Sequence, residues 1–217
     1  MIRLLYISLF GFVLMHINSA SAEGLMEPIN GSPKAVEFSL EDINGKEVSL
    51  KDFKGKFVLL NFWATWCAPC RKEMPAMSNL HNEFNGEGLE VVGVHVGPSL
   101  AGVKKFLESV PVSFTVLIDK DMGLASWGVR GLPTSFLVNP DGKLVYKAVG
   151  EREWDSPEMI KFLRDLVTKY ERMADTGQPT TTAESQSGEE KSFFASLKQI
   201  FSRPLNDQCG VDKILPN

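Results

Sequence analysis

The chain has 217 residues, 43% hydrophobic and 23% charged, which fits one folded domain with tails. Its formal charge of −4 supplies no basic field, so a nucleic-acid partner is not expected. Three cysteines are too few for a small scaffold that stays folded by disulfide stapling.

Met1-Ile2-Arg3 is a short positive start, Leu4 to Ile17 is apolar except for Ser8 and His16, and Ala20-Ser21-Ala22 offers the small residues a signal peptidase accepts. Residues 1–22 therefore read as a signal peptide cut after Ala22. The apolar run is short beside the about 20 residues of a membrane-spanning helix, and an uncleaved anchor is the alternative. On either reading the body is exported, to the periplasm or another extracytoplasmic space. No cysteine follows the run, which does not fit a lipoprotein signal.

A folded domain is expected over 33–172, after a lead-in from Glu23. Val36, Phe38 and Leu40 alternate before Asn44-Gly45, and Val48 and Leu50 after it, a hairpin signal because Asn-Gly tolerates the positive φ of tight turns. Phe57 to Trp63 is almost continuously apolar, as in a strand covered on both faces. A helix should run from the following cysteines to Phe84, with Met74, Met77, Leu80 and Phe84 on its buried side and a kink at Pro75. Leu89 to Val96 reads as a strand, Leu100 to Ser109 as a helix, Phe114 to Ile118 as a strand, and Gly123 to Trp127 as a short helix. Ser135 to Asn139 and Leu144 to Val149 flank Pro-Asp-Gly as a second hairpin. Ser156 caps the last domain helix, with Pro157 at its first position and Ile160, Leu163, Leu166, Val167 and Tyr170 as its stripe. Alternating strands and helices imply an α/β fold with a parallel sheet, closed by an antiparallel hairpin at one side.

Residues 174–190 lack large apolar side chains and read as a disordered linker. In 191–217, Phe193, Phe194, Leu197, Ile200 and Phe201 share one helical face. That helix either folds back on its own domain, the favoured reading, or docks on a membrane surface or a partner.

Cys67 and Cys70 carry the chemistry. A zinc site wants about four Cys, His or carboxylate ligands. There is no second Cys-x-x-Cys, His16 lies in the leader, and His81 and His95 lie off the pair, so no metal is assigned. Two thiolates alone could hold Cu(I), which leaves a non-enzymatic copper carrier as a rival. A redox couple fits the setting better. After a strand, Cys67 falls at a helix N-terminus, where free N–H groups and the dipole stabilise the reactive thiolate. Cys70 falls one turn inside, where burial favours the neutral thiol. Cys67 should attack and Cys70 resolve, the dithiol being the whole redox centre without a bound cofactor. Ala68-Pro69 places neither charge nor side-chain donor between the sulfurs. This favours a reducing couple, nearer about −270 mV than about −120 mV. Cys209, in the tail, reads as a spare thiol or an intermolecular crosslink.

The stretches NFWATWCAPCRKEMP, VVGVHVG and GVRGLPTSFLVNPDGKLV, in this order, resemble the TlpA-like/ResA family of exported thiol–disulfide oxidoreductases. The resemblance implies a thioredoxin fold with a central mixed sheet flanked by helices, an N-terminal β-hairpin and an inserted strand–helix unit at Leu89 to Ser109. It implies Cys67 as nucleophile, Cys70 as resolving thiol, Pro133 as the cis-proline facing the disulfide, and Glu73 as an acid that takes the proton Cys70 must lose. Glu73 as a solvated helix residue is the plain alternative. Trp66, Ala68, Pro69, Leu132 and Thr134 form the implied substrate-facing set, with the backbone of Leu132 offering a strand edge. Asn61 stands where thioredoxin has a buried aspartate, as is common in the family. The implied substrates are oxidised protein thiols, with cytochrome c apoproteins favoured. The implied electron donor is a membrane thiol transporter of the DsbD/CcdA kind. A general disulfide oxidase or isomerase would use the same residues. A peroxiredoxin fits less well: its Pro-x-x-x-Thr-x-x-Cys motif puts threonine three residues before the cysteine, whereas Thr65 stands two before Cys67.

Overall fold

The run from Phe57 to Trp63 becomes the strand around which the rest is built. In a computed structural model, which describes residues 25–176, the order is β1 (Glu27–Pro28), β2 (Ser39–Asp42), β3 (Glu47–Ser49), β4 (Phe57–Trp63), α1 (Ala68–Phe84), β5 (Leu89–Val96), α2 (Leu100–Ser109), β6 (Thr115–Asp119), β7 (Thr134–Val138), β8 (Leu144–Val149) and α3 (Pro157–Thr176). Short 3-10 turns lie at Leu50–Phe53 and Gly123–Trp127.

The strands form one sheet in the order β1-β8-β7-β4-β5-β6-β2-β3. β4, β5 and β6 are parallel, and β7, β8 and the β2–β3 hairpin run antiparallel. β5, the strand of the expected inserted unit, lies between β4 and β6. Asp42 organises the first hairpin: its carboxylate accepts from the amides of Asn44 and Lys46 at 2.7 and 2.9 Å, and Gly45 takes φ 83°. In the second hairpin the side chain of Asn139 accepts from the amides of Asp141 and Lys143.

Period-two alternation explains why β4 has no polar face. Phe57, Leu59 and Trp63 point into one core with Met74, Met77, Leu80 and Phe84 of α1, Val103 of α2, and Met159, Leu163 and Val167 of α3. Val58, Leu60 and Phe62 point into the other, with Val48 and Leu50 of the hairpin region and Trp127 against it. The helices thus gather on one face, and the hairpin and 3-10 turns cover the opposite one. Gly93 on β5 makes room for Trp63, since a Cβ there would lie 3.0 Å from the Phe114 ring and 3.2 Å from the Trp63 indole nitrogen.

Two expectations are adjusted. The lead-in contains β1, which pairs with β8 through Glu27–Lys147 and Pro28–Tyr146; two exposed edge residues carry no periodic signal. Helix α1 carries Pro75 inside its span, with Met74 and Met77 fully buried on either side of it. Helix α3 runs to Thr176, so Ala174, Asp175 and Thr176 are its last turn rather than linker, with the Thr176 hydroxyl donating to the carbonyl of Arg172. The first compact unit ends at Glu171, and residues 172–176 are the described part of a second. The leader, the rest of the linker, the tail helix and Cys209 lie outside the described residues.

Candidate active site

Parallel strands β4 and β5 both end at the same edge, and the loop leaving β4 delivers Cys67 there as the N-cap of α1. Its backbone is extended at φ −84° and ψ 104°, and its carbonyl accepts the Arg71 amide at 3.1 Å to open the helix. Pro69 sits in the first turn, where a missing N–H costs no helical bond. The Cys67 Sγ is joined to that of Cys70 in a disulfide and accepts the Cys70 amide at 3.3 Å. The two sulfurs differ in access: Cys67 is 5% exposed and Cys70 is fully buried.

Antiparallel β7 brings Pro133 to the same end of the sheet. Thr134 pairs with Phe62, so the residue before it falls at the end of β4 that leads to Cys67. The Leu132–Pro133 bond is cis. The Pro133 carbonyl accepts the Gly150 amide at 2.9 Å, and the buried Thr134 hydroxyl donates to the Gly131 carbonyl at 2.7 Å. Trp66 stands 75% exposed, and Ala68 and Pro69 are exposed with it. Val149, the pairing partner of Thr134, is also exposed. An apolar rim thus lies at the end of the sheet that carries the disulfide.

Glu73 lies one helical turn beyond Cys70 and is only 2% exposed, which overturns the solvated alternative. Its Oε1 accepts from Asn61 Nδ2 at 2.8 Å. Its Oε2 accepts from the indole N–H of Trp154 at 3.0 Å and from the amide of Arg152 at 3.2 Å. Burial pushes the carboxyl above the usual carboxylate range. The Trp154, Asn61 and Arg152 donors pull it part of the way back, and the charge of Glu151 adds to the rise. Asn61 also donates to Ser135 Oγ at 3.0 Å. The guanidinium of Arg152 fastens its loop by donating to the carbonyls of Leu25, Gly150 and Glu151.

His95 ends β5 opposite Trp63 and packs edge-on against it. Its Nε2 accepts the amide of Thr65 at 3.3 Å while Nδ1 faces the Gly97 carbonyl, so the ring braces the loop that leads to Cys67. Burial holds it below the ordinary imidazole range. His81 lies on α1, away from the disulfide in sequence, and is half-buried. Among the described residues no group of His, Cys, Asp or Glu side chains is arranged to hold a metal ion. The sequence does not mark Trp154, Arg152 or Ser135 as members of the site. They reach the site from 74 to 81 positions away, a distance at which one sequence carries no local signal.

A family model described as the AhpC/TSA family matches residues 32–147. The thiol-disulfide oxidoreductase ResA of Bacillus subtilis (strain 168) is 44% identical over 150 residues, which cover 69% of this chain and 82% of that protein. The chain belongs to the AhpC/TSA family and, within it, to the ResA-type thiol–disulfide oxidoreductases. Two solved structures carry the likeness into three dimensions. One, from Chlorobium tepidum and assigned as a thiol:disulfide interchange protein DsbE, superposes with a TM-score of 0.56 at 35% identity, over 64% of this chain and 95% of that one. The other, the thioredoxin domain of a thiol-disulfide oxidoreductase from Bacteroides vulgatus, gives 0.56 at 31% identity, over 63% and 96%. The fold is thioredoxin-like, and this ResA-type oxidoreductase carries its Cys-x-x-Cys pair as the Cys67–Cys70 disulfide.

Proposed function

We propose that this ResA-type protein is an extracytoplasmic reductase of protein disulfides, with oxidised cytochrome c apoproteins as its favoured substrates. The observation that carries the reading is the asymmetric disulfide: Cys67 caps α1, while Cys70 is fully buried one turn before an equally buried acid. The Cys67 thiolate attacks a substrate disulfide, forming a mixed disulfide and releasing one substrate thiolate. Cys70 loses its proton to Glu73 and attacks the Cys67 sulfur. The second substrate thiolate leaves, and Cys67–Cys70 is oxidised by two electrons. During the encounter the backbone of Leu132, ahead of Pro133 and Thr134, offers a strand edge to the substrate, and Trp66, Ala68 and Pro69 cover its apolar flank. A membrane thiol transporter of the DsbD/CcdA kind returns the two electrons through its own dithiol. Residues 1–22 act as leader or anchor. Among the described residues no helix is long and apolar enough to cross a membrane.

Trapping tests the reading. Reduced Cys70→Ser protein, mixed with an oxidised apocytochrome c, should hold it on Cys67 in a disulfide that mass spectrometry locates. An empty trap, or equal capture of unrelated disulfide proteins, removes the substrate assignment. A reduction potential above that of protein disulfide isomerase, about −180 mV, removes the reducing role.

A further inference from the structure

Among the described residues every hydrogen bond to Glu73 comes from an N–H group, and these donors are unevenly shared between its oxygens. Oε2 takes both the Trp154 indole N–H and the Arg152 amide, which fill its two acceptor positions. Among the described residues Oε1 takes only Asn61 Nδ2, which leaves one of its positions free. The two sides also differ in rigidity. Trp154 is fully buried, and the Arg152 side chain is tied to three carbonyls, so neither Oε2 donor can withdraw cheaply. On the other side, Asn61 Oδ1 is buried with no hydrogen-bond partner among the described residues. Turning that amide over would bring Oδ1 to face Oε1 and the Ser135 hydroxyl, matching a protonated carboxyl where the present orientation matches an ionised one.

We infer that Trp154, with the Arg152 amide, is a positioning residue that saturates Oε2 of Glu73 and thereby directs the reaction's proton onto Oε1, where the Asn61 amide turns to receive it. This inference rests on Glu73 being the acid of the proposed reaction. When Cys70–SH attacks the mixed disulfide, its S–H bond breaks, its sulfur bonds to Cys67 Sγ, the substrate thiolate leaves with the electron pair, and the proton passes to Oε1. On reduction of the Cys67–Cys70 disulfide the same O–H gives the proton back to Cys70. The charged groups near Glu73 are Glu151, which is paired with Lys72, and the guanidinium of Arg152, which donates through Nε and Nη1 to backbone carbonyls; Cys70 lies one turn earlier on the same helix.

The test is Trp154→Phe, which deletes the indole N–H and keeps an aromatic ring. Where that variant fails to fold, replacing Trp154 by 3-benzothienylalanine removes the N–H at nearly constant shape. Two quantities are read: the titration midpoint of the Glu73 carboxyl by carbon-13 NMR, and the pH profile of mixed-disulfide resolution in stopped flow. A donor to a charged group lost from a buried site should raise the midpoint by about one pH unit. The resolution profile should move by the same amount, with alkylation of Cys67 in the reduced protein unchanged. An unmoved midpoint, or a midpoint that moves without the rate profile, overturns the inference. Glu73→Gln separates the two levels. If it leaves resolution at the wild-type rate, the acid role itself fails. If it slows resolution while the Trp154 variants change nothing, the acid role stands and the positioning role falls.

Discussion

Asn61→Asp restores at one position the acid that thioredoxin carries, and the structure sets what that should cost. The introduced carboxylate would stand where Asn61 Nδ2 now lies, 2.8 Å from Glu73 Oε1. At an effective dielectric of about 20, two unit charges at that separation repel by about 6 kcal/mol. One pKa unit corresponds to about 1.4 kcal/mol, so the pair should keep one shared proton at neutral pH. The unfolded chain ionises both groups. The folded variant therefore binds one proton more, and its stability should fall by about 1.4 kcal/mol for each pH unit of rise. Glu73 alone gives the same sign in the wild type: its folded pKa is raised, so its contribution is full below the ordinary 4.5 and is lost as pH rises through the folded value. Above that value the wild-type curve is flat in this term while the variant keeps falling. Urea midpoints of both proteins from pH 5 to 8, with the disulfide intact, measure the difference. Parallel curves would refute the geometry, because two carboxylates so close and so buried cannot ionise independently.

Gly93→Ala should cost about 1–3 kcal/mol by overpacking, since its methyl meets the Phe114 ring at 3.0 Å and Trp63 is held by His95 and Phe106; a loss below about 0.5 kcal/mol in urea unfolding would show that the indole yields freely. Trp66→Ala should leave stability within about 0.5 kcal/mol, because the side chain is 75% exposed, yet lower kcat/KM for protein disulfides. Unchanged turnover would remove Trp66 from the docking surface. His95 has a depressed folded pKa, so its contribution is full above 6.5 and is lost as pH falls through the folded value. His95→Gln should flatten that acid limb of the stability curve, and an unaltered limb would mean that the ring accepts its proton in place.

Much of the architecture is local and was legible for that reason. β4 and β5 are apolar on both faces, so each announces itself as a bounded run, and α1 is marked by its cap, its first-turn proline and its methionine stripe. Ser156 reads as a cap because its hydroxyl accepts the Met159 amide. The stripe of α3 was only partly legible: Met159 is buried and Phe162 stacks on Tyr146, since the helix packs over the β8 edge as well as the sheet centre. Sheet order was not legible at all. Nothing in Ser39–Ser49 says that its hairpin adds beside β6, at the far side from β7 and β8.

The site divides along the same line. Cys67 and Cys70 stand in a short motif whose spacing carries their geometry, Pro133 was legible through the family resemblance, and the fold brings all three to one end of the sheet. The environment of Glu73 has no such motif. Whether that carboxyl is wet or dry depends on Trp154 arriving from the β8–α3 connection, and that connection is held by an arginine bonded to the carbonyl of Leu25, at the other end of the domain's sequence. A glutamate one turn after a resolving cysteine can be read from any one sequence. Its burial is a tertiary property, set by the Trp154 indole and the Arg152 amide about 80 positions away, which only the folded chain connects to it.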